Sequence, residues 1–236
     1  MTTITPITIG AAAMKPDPNP ATPAFDYIAE PDAIYRASFA AIERAVDLTH
    51  LPAASRPLAA RLVHACGLPE IVDRLVISDD AVAAGEGALA SGARVLVDAE
   101  MVAHGIIRDR LSAGNAVTCT LNAPGVSDRA RALGQTRSAT AVDLWPDLLA
   151  GAVVAIGNAP TALFRLLELL QGGAPRPAVI LGFPVGFIGA AEAKDALVTN
   201  AGDVPFATLT GQFGGSALAA AAVNALATPP SPAGRS

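Results

Sequence analysis

The sequence predicts a single α/β domain built on a mostly parallel, doubly wound sheet. Three observations lead there. Six short runs rich in β-branched and aliphatic residues recur along the chain, most of them followed by an Ala- and Leu-rich helical stretch. Several of the strand-to-helix junctions are Gly-rich. And 52% of the 236 residues are hydrophobic while only 4% are aromatic, so the core is made of small side chains over which helices and strands approach closely.

In chain order, residues 1–24 are rich in Thr, Pro and Ala without apolar periodicity and read as a mobile tail. The first helix opens at Pro31 and Asp32 and runs through AIYRASFAAIERAVDL, where Ile34, Phe39, Ile42 and Val46 fall at helical spacing. A second helix is expected over Ala54–Ala65, with Ser55 as cap, Pro57 in the first turn and Gly67 as its stop. His64 therefore sits at a helix C-terminus. Strands are expected at Arg74–Ser78, Arg94–Asp98, Ala116–Thr120, Ala152–Ile156, Ala178–Gly182 and Pro205–Leu209. A second tail follows from Thr228 to Ser236, leaving 25–227 as the folded domain.

A net charge of −5 and a pI near 5.1 argue against nucleic acid or an anionic membrane surface as main partner, since both are bound by clustered Lys and Arg. The N-terminal residues lack the basic-then-apolar pattern of a secretion signal, and no apolar stretch is long enough for a membrane span. Cys66 and Cys119 lack paired spacing, which fits a reducing cytoplasm and suggests neither a disulfide framework nor a metal cluster. G-x-G-x-x-G and G-x-x-x-x-G-K-[ST] are both absent, so nicotinamide cofactors and nucleoside triphosphates have no direct support.

Three later turns invite a ligand: IGNAPTALF, LGFPVGFIGAAEAK and LTGQFGGSALAAAAVNAL. Turns at the C-terminal ends of parallel strands present unpaired N–H groups and helix dipoles that favour anions. Of three histidines, His64 in RLVHACG is best placed for proton transfer, with Arg61 one turn before it. A core histidine satisfied by a backbone carbonyl is the competing reading. His50 and His104 read as structural or solvated. Cys66, two residues from His64, points away from it on a helix and does not form a dyad. Asp98, Glu100 and Asp143 stand at element ends as caps, solvated acids or candidate acid–base groups. Arg137 in GQTRSATAV opens a helix behind Thr136 as cap; an Arg there opposes the dipole unless it meets an anion, either a ligand carboxylate or a local acid.

Taken together, AIYRASFAAIERAVDL, RLVHACG, GQTRSATAVDLW, AVVAIGNAPTALFRLLEL, LGFPVGFIGAAEAK and GGSALAAAAVNAL resemble precorrin-8X methylmutases, from about Tyr27 to Ala227. The resemblance implies a Rossmann-like three-layer α/β/α protein that works as a homodimer, with its active site near the subunit interface and no added cofactor; the lack of a His- or Cys-rich pair in the sequence points to no metal. It implies an isomerase of cobalamin biosynthesis that moves a methyl group from ring carbon 11 to ring carbon 12 of precorrin-8X by a 1,5-sigmatropic shift, giving hydrogenobyrinate. It casts His64 as proton donor or acceptor, and Ser38, Arg61, Arg137 and Tyr35 as substrate contacts. Arg forks and N–H-bearing turns suit a flat apolar macrocycle edged with carboxylates. A non-catalytic tetrapyrrole carrier and, further off, a Rossmann-like oxidoreductase are the alternatives.

Overall fold

The computed structural model describes residues 25–111 and 113–227; the two expected tails, 1–24 and 228–236, lie outside the described residues. The chain divides into two compact units, one ending at Arg36 and one beginning at Ala37. The described part of the first is an extended lead followed by the opening turns of α1 (Pro31–Ala45), where the Glu30 carboxylate accepts the Asp32 N–H at 2.8 Å. That satisfies a donor the helix itself leaves unpaired.

In the second unit all six expected strands form: β1 (Leu75–Ile77), β2 (Val95–Val97), β3 (Val117–Cys119), β4 (Val153–Ile156), β5 (Val179–Gly182) and β6 (Phe206–Leu209). They make one sheet in the order β1-β6-β5-β4-β2-β3, parallel throughout except that β1 runs against β6. Every residue of β2, β4 and β5 is buried, which is why these strands read as unbroken apolar runs.

The remaining helices are α2 (Arg56–Cys66), α3 (Ala81–Ala90), α4 (Glu100–Gly105), α5 (Val126–Leu133), α6 (Arg137–Val142), α7 (Pro146–Leu149), α8 (Pro160–Gln171), α9 (Ala190–Asn200) and α10 (Ser216–Leu226). Side chains alternate across the sheet, so Val95, Val97, Val153 and Ala155 pack with α2, α3, α4 and α10 on one face. Leu96, Val154, Ile156 and Ile180 pack with α6 to α9 on the other. This is the expected three-layer α/β/α arrangement. Trp145, wholly buried on the second face, donates its indole N–H to the Thr120 hydroxyl at 2.8 Å, so the largest side chain in the core has its polar atom satisfied.

One expectation fails locally. Ser55 does precede α2, but its hydroxyl makes no capping bond and the residue is buried at 2% exposure. A short 3-10 turn over Ala53–Ser55 leads into the helix and holds Ser55 at φ −85°, ψ −16°, a helical geometry that aims the hydroxyl away from the free N–H groups. At the other end Gly67 takes φ 69° and its N–H closes on the Val63 carbonyl, the stop that its sequence position promises.

The antiparallel β1 decides where the site lies. Leu75, its first residue, pairs with Leu209, the last of β6, so the chain enters β1 at the edge where the parallel strands end. Gly67, Leu68 and a 3-10 turn over Pro69–Arg74 are all that separate α2 from that edge. The C-terminus of α2 and the strand-to-helix turns are thereby brought to one end of the sheet. Among the described residues no helix is long and apolar enough to cross a membrane.

Candidate active site

His64 occupies the last turn of α2, exposed at its surface. Its Nδ1 lies 2.9 Å from the Ser38 hydroxyl of α1, and its ring stacks on Phe39 with centroids 5.1 Å apart and planes inclined by 19°. The Arg61 guanidinium, one turn earlier on α2, stands 5.1 Å from the centre of the same Phe39 ring. The stack fixes the plane of the imidazole and the hydroxyl fixes its rotation about that plane. A serine hydroxyl can donate to Nδ1 or accept from it, so either neutral tautomer of His64 is accommodated. His64, Ser38 and Arg61 are thus brought together as the sequence suggests. The backbone-satisfied reading describes His104 instead, whose Nδ1 lies 2.7 Å from the Glu100 carbonyl.

Phe39 was legible only as an apolar residue at helical spacing; its role as the surface that orients His64 needs the packing of α1 on α2. No spacing rule connects His64 to Phe39, or to Ser38 26 positions away.

Of the three turns expected to receive a ligand, one is already filled. The Asp98 carboxylate, at the end of β2, accepts the N–H groups of Gly157 at 2.8 Å, Asn158 at 2.9 Å and Ala159 at 2.7 Å, all in the turn between β4 and α8. Here neighbouring strands send their connections in opposite directions, the place where open α/β sheets hold anionic ligands. The backbone donors expected to receive an anion in this turn are taken by the chain's own carboxylate. Burial raises the Asp98 carboxyl above its usual range, with the three N–H bonds acting against that. A dinucleotide phosphate finds no free backbone N–H at Gly157, Asn158 or Ala159.

The other two turns, Phe183–Gly189 and Thr210–Gly215, are joined to each other. Gly215 N–H donates to the Phe183 carbonyl at 2.8 Å, and a Cβ on Gly214 would overlap the Phe183 and Pro184 carbonyls. Only glycine permits that approach. The first of these turns carries Phe187 and Ile188 almost fully exposed, at 86% and 89%.

The remaining candidates fall elsewhere. Tyr35 lies on α1 in the first unit, half exposed. Arg137 opens α6 as expected, with the Thr136 hydroxyl accepting the Ala139 N–H at 3.2 Å, and is exposed with no carboxylate partner among the described residues. It belongs to the opposite face of the sheet from α2. The single chain therefore does not bring Arg137 onto the His64 group. Asp143 is taken up by Arg165 at 2.6 Å and Arg129 at 3.3 Å, a structural pairing. Cys66 points its thiol at the Val63 and Leu68 carbonyls, not at His64. Cys119 is half-buried, and burial lifts its thiol to about 11, which keeps it protonated and unreactive at neutral pH. Among the described residues no three His, Cys, Asp or Glu side chains group as a metal site requires.

Comparison with known proteins places the fold and the sequence in one family. The family model described as precorrin-8X methylmutase matches residues 33–229. The precorrin-8X methylmutase of a Sinorhizobium species is 56% identical over 88% of this chain and 99% of its own length. The cobalt-precorrin-8 methylmutase of Priestia megaterium is 34% identical over 72% of this chain and 75% of its own. A solved precorrin-8X methylmutase from Thermus thermophilus superimposes with a TM-score of 0.77 at 40% identity, covering 83% of this chain and 94% of that one. With a whole-domain match in sequence and the same fold in space, this chain belongs to the precorrin-8X methylmutase family and is an isomerase of cobalamin biosynthesis.

Proposed function

We propose that the chain converts precorrin-8X to hydrogenobyrinate by moving the methyl group from ring carbon 11 to ring carbon 12 in a 1,5-sigmatropic shift, with His64 exchanging the proton. The observation that carries this reading is the Ser38 hydroxyl 2.9 Å from His64 Nδ1, on a ring held flat against Phe39. With Nδ1 engaged, the proton passes through Nε2. As imidazolium, His64 donates Nδ1–H to the hydroxyl and delivers its Nε2 proton to the conjugated macrocycle; the neutral ring left behind keeps Nδ1–H on the hydroxyl, and its Nε2 is the base that takes the proton back. Protonation polarises the ring system next to the migrating methyl, and its return leaves the rearranged chromophore. The shift is internal, so atoms and electrons balance without an external methyl donor or oxidant.

Arg61, Ser38, Tyr35 and Arg137 are the proposed substrate contacts, the arginines pairing with peripheral carboxylates. The separation of Arg137 from His64 within one chain favours a homodimer in which one protomer's Arg137 completes its partner's site. Mixing His64→Ala with Arg137→Ala protomers then restores a measurable part of the activity that neither variant shows alone; no restoration breaks that arrangement. The cobalt-free substrate is favoured because the Sinorhizobium relative named for it is 56% identical, against 34% for the cobalt-named Priestia enzyme. Residues 25–227 are proposed as the catalytic domain and the cytoplasm as its compartment, where the free thiols Cys66 and Cys119 stay reduced.

The test is anaerobic incubation with precorrin-8X, following the absorption change to hydrogenobyrinate in wild type and His64→Ala. Binding by the wild type without rearrangement favours the carrier over the enzyme. Normal turnover by His64→Ala removes the proton-handling role and leaves the enzyme.

A further inference from the structure

Lys194 on α9 has no exposed surface at all, and no carboxylate lies within ion-pair distance of it among the described residues. Among the described residues its ammonium donates to one group, the carbonyl of Phe213 in the turn between β6 and α10. An ammonium taken out of water without a counter-charge is among the costliest groups a core can hold. A methionine would fill the same space at little cost. The carbonyl it holds belongs to the turn already joined to the β5–α9 turn through Gly215 and Phe183. Phe213 itself is 38% exposed, with the Arg74 guanidinium 5.3 Å from its ring centre. Arg74 ends the 3-10 turn that follows α2, and its carbonyl accepts the Thr210 N–H at 2.8 Å. Phe213 thus offers an apolar ring with the Arg74 guanidinium over one face, at the end of the sheet to which α2 delivers His64.

We propose that Lys194 is a positioning residue of the methylmutase site: its buried ammonium fixes the Phe213 carbonyl, and through it sets the ring that receives one edge of the carboxylate-bearing macrocycle. This rests on the methylmutase reading above. The charge is retained because a charge-assisted bond defines the carbonyl's position more tightly than a neutral donor would. A displaced binding wall loses contact with the macrocycle in ground state and transition state alike, which raises KM and leaves kcat nearly unchanged. Two charged groups act on the ammonium, Asp195 on its own helix and Arg74 across the turn, and burial outweighs both to bring it down to about 8. Binding is therefore sensitive to the loss of this proton in mildly alkaline solution.

The experiment uses the full chain as wild type, Lys194→Met and Phe213→Ala, measuring kcat, KM and the thermal midpoint with precorrin-8X under anaerobic conditions. Lys194→Met raises KM about tenfold, changes kcat by less than about threefold and does not lower the midpoint. Phe213→Ala raises KM similarly. Wild-type KM climbs as pH passes about 8, while KM of Lys194→Met stays level. A Lys194→Met KM within about twofold of wild type overturns the proposal. Should that variant not fold, a wild-type KM that is flat to about pH 9.5 with unchanged circular dichroism overturns it equally. Absence of any wild-type turnover overturns the methylmutase reading and this proposal together, whereas normal wild-type turnover with an unaltered Lys194→Met overturns the lysine alone.

Discussion

Two regions at the C-terminal end of the sheet are built on opposite plans. Around Asp98 every backbone donor of the β4–α8 turn is met by a group of the chain itself, three N–H bonds to one buried carboxylate. Around α2 the polar groups are oriented but left at the surface: His64 is exposed, held by a hydroxyl on one nitrogen and an aromatic plane beneath. The first plan contributes stability and closes the crevice where such sheets usually bind anions. The second contributes little to stability and leaves a proton carrier presented to a ligand. The position of a turn in the topology does not by itself make it a binding site; whether its donors are already satisfied decides.

Substitutions separate the two plans. His64→Ala has the largest expected effect, a fall in kcat of about 10²–10⁴-fold with the thermal midpoint within about 2 °C of wild type, since an exposed ring loses little burial. A midpoint drop matching that of an Asp98 variant would erase the contrast. Asp98→Ala leaves three backbone donors without an acceptor and costs about 3 kcal/mol or more, about 6–12 °C in a domain of this size, read by thermal unfolding. Acetate in the buffer should recover part of that loss by occupying the vacated place, and no recovery would mean the turn collapses without its anion.

Lys194 gives a third measure with a defined sign. Its folded value of about 8 lies below the ordinary 10.5, so between these limits the unfolded chain binds more protons and stability rises with pH. Relative to Lys194→Met, the wild type gains up to about 3 kcal/mol from pH 8 to 10.5 at 1.36 kcal/mol per unit, measured by denaturant unfolding across that range. A constant difference between the two proteins would contradict a desolvated ammonium. Smallest is Ser38→Ala, expected to lower kcat about tenfold, near 1.4 kcal/mol, with stability unchanged, because it removes the group that sets the imidazole's rotation but not the imidazole. A loss as large as that of His64→Ala would place Ser38 in the chemistry itself.

Much of the fold was legible in the sequence because parallel strands covered on both faces must be continuous apolar runs, and β2, β4 and β5 are. Gly67 as a helix stop and Thr136 as a cap were legible because both act on neighbours within four residues. Ser55 misled for the same local reason: its cap chemistry was right, but the 3-10 turn before it consumed the geometry. His64 stood out as one of three histidines, and the strings around it carried its meaning.

What the sequence by itself determined is thus the order of strands and helices along the chain, the residues that could move a proton, and the family, since each rests on periodicity, local capping or contiguous motifs. What only the tertiary structure decided is which distant groups satisfy one another. Asp98 meets Gly157 across 59 residues, Ser38 meets His64 across 26, and Lys194 meets Phe213 across 19. Short-range pattern carries no record of such pairings, because they follow from how the layers pack and which buried polar groups must find a partner once water has left.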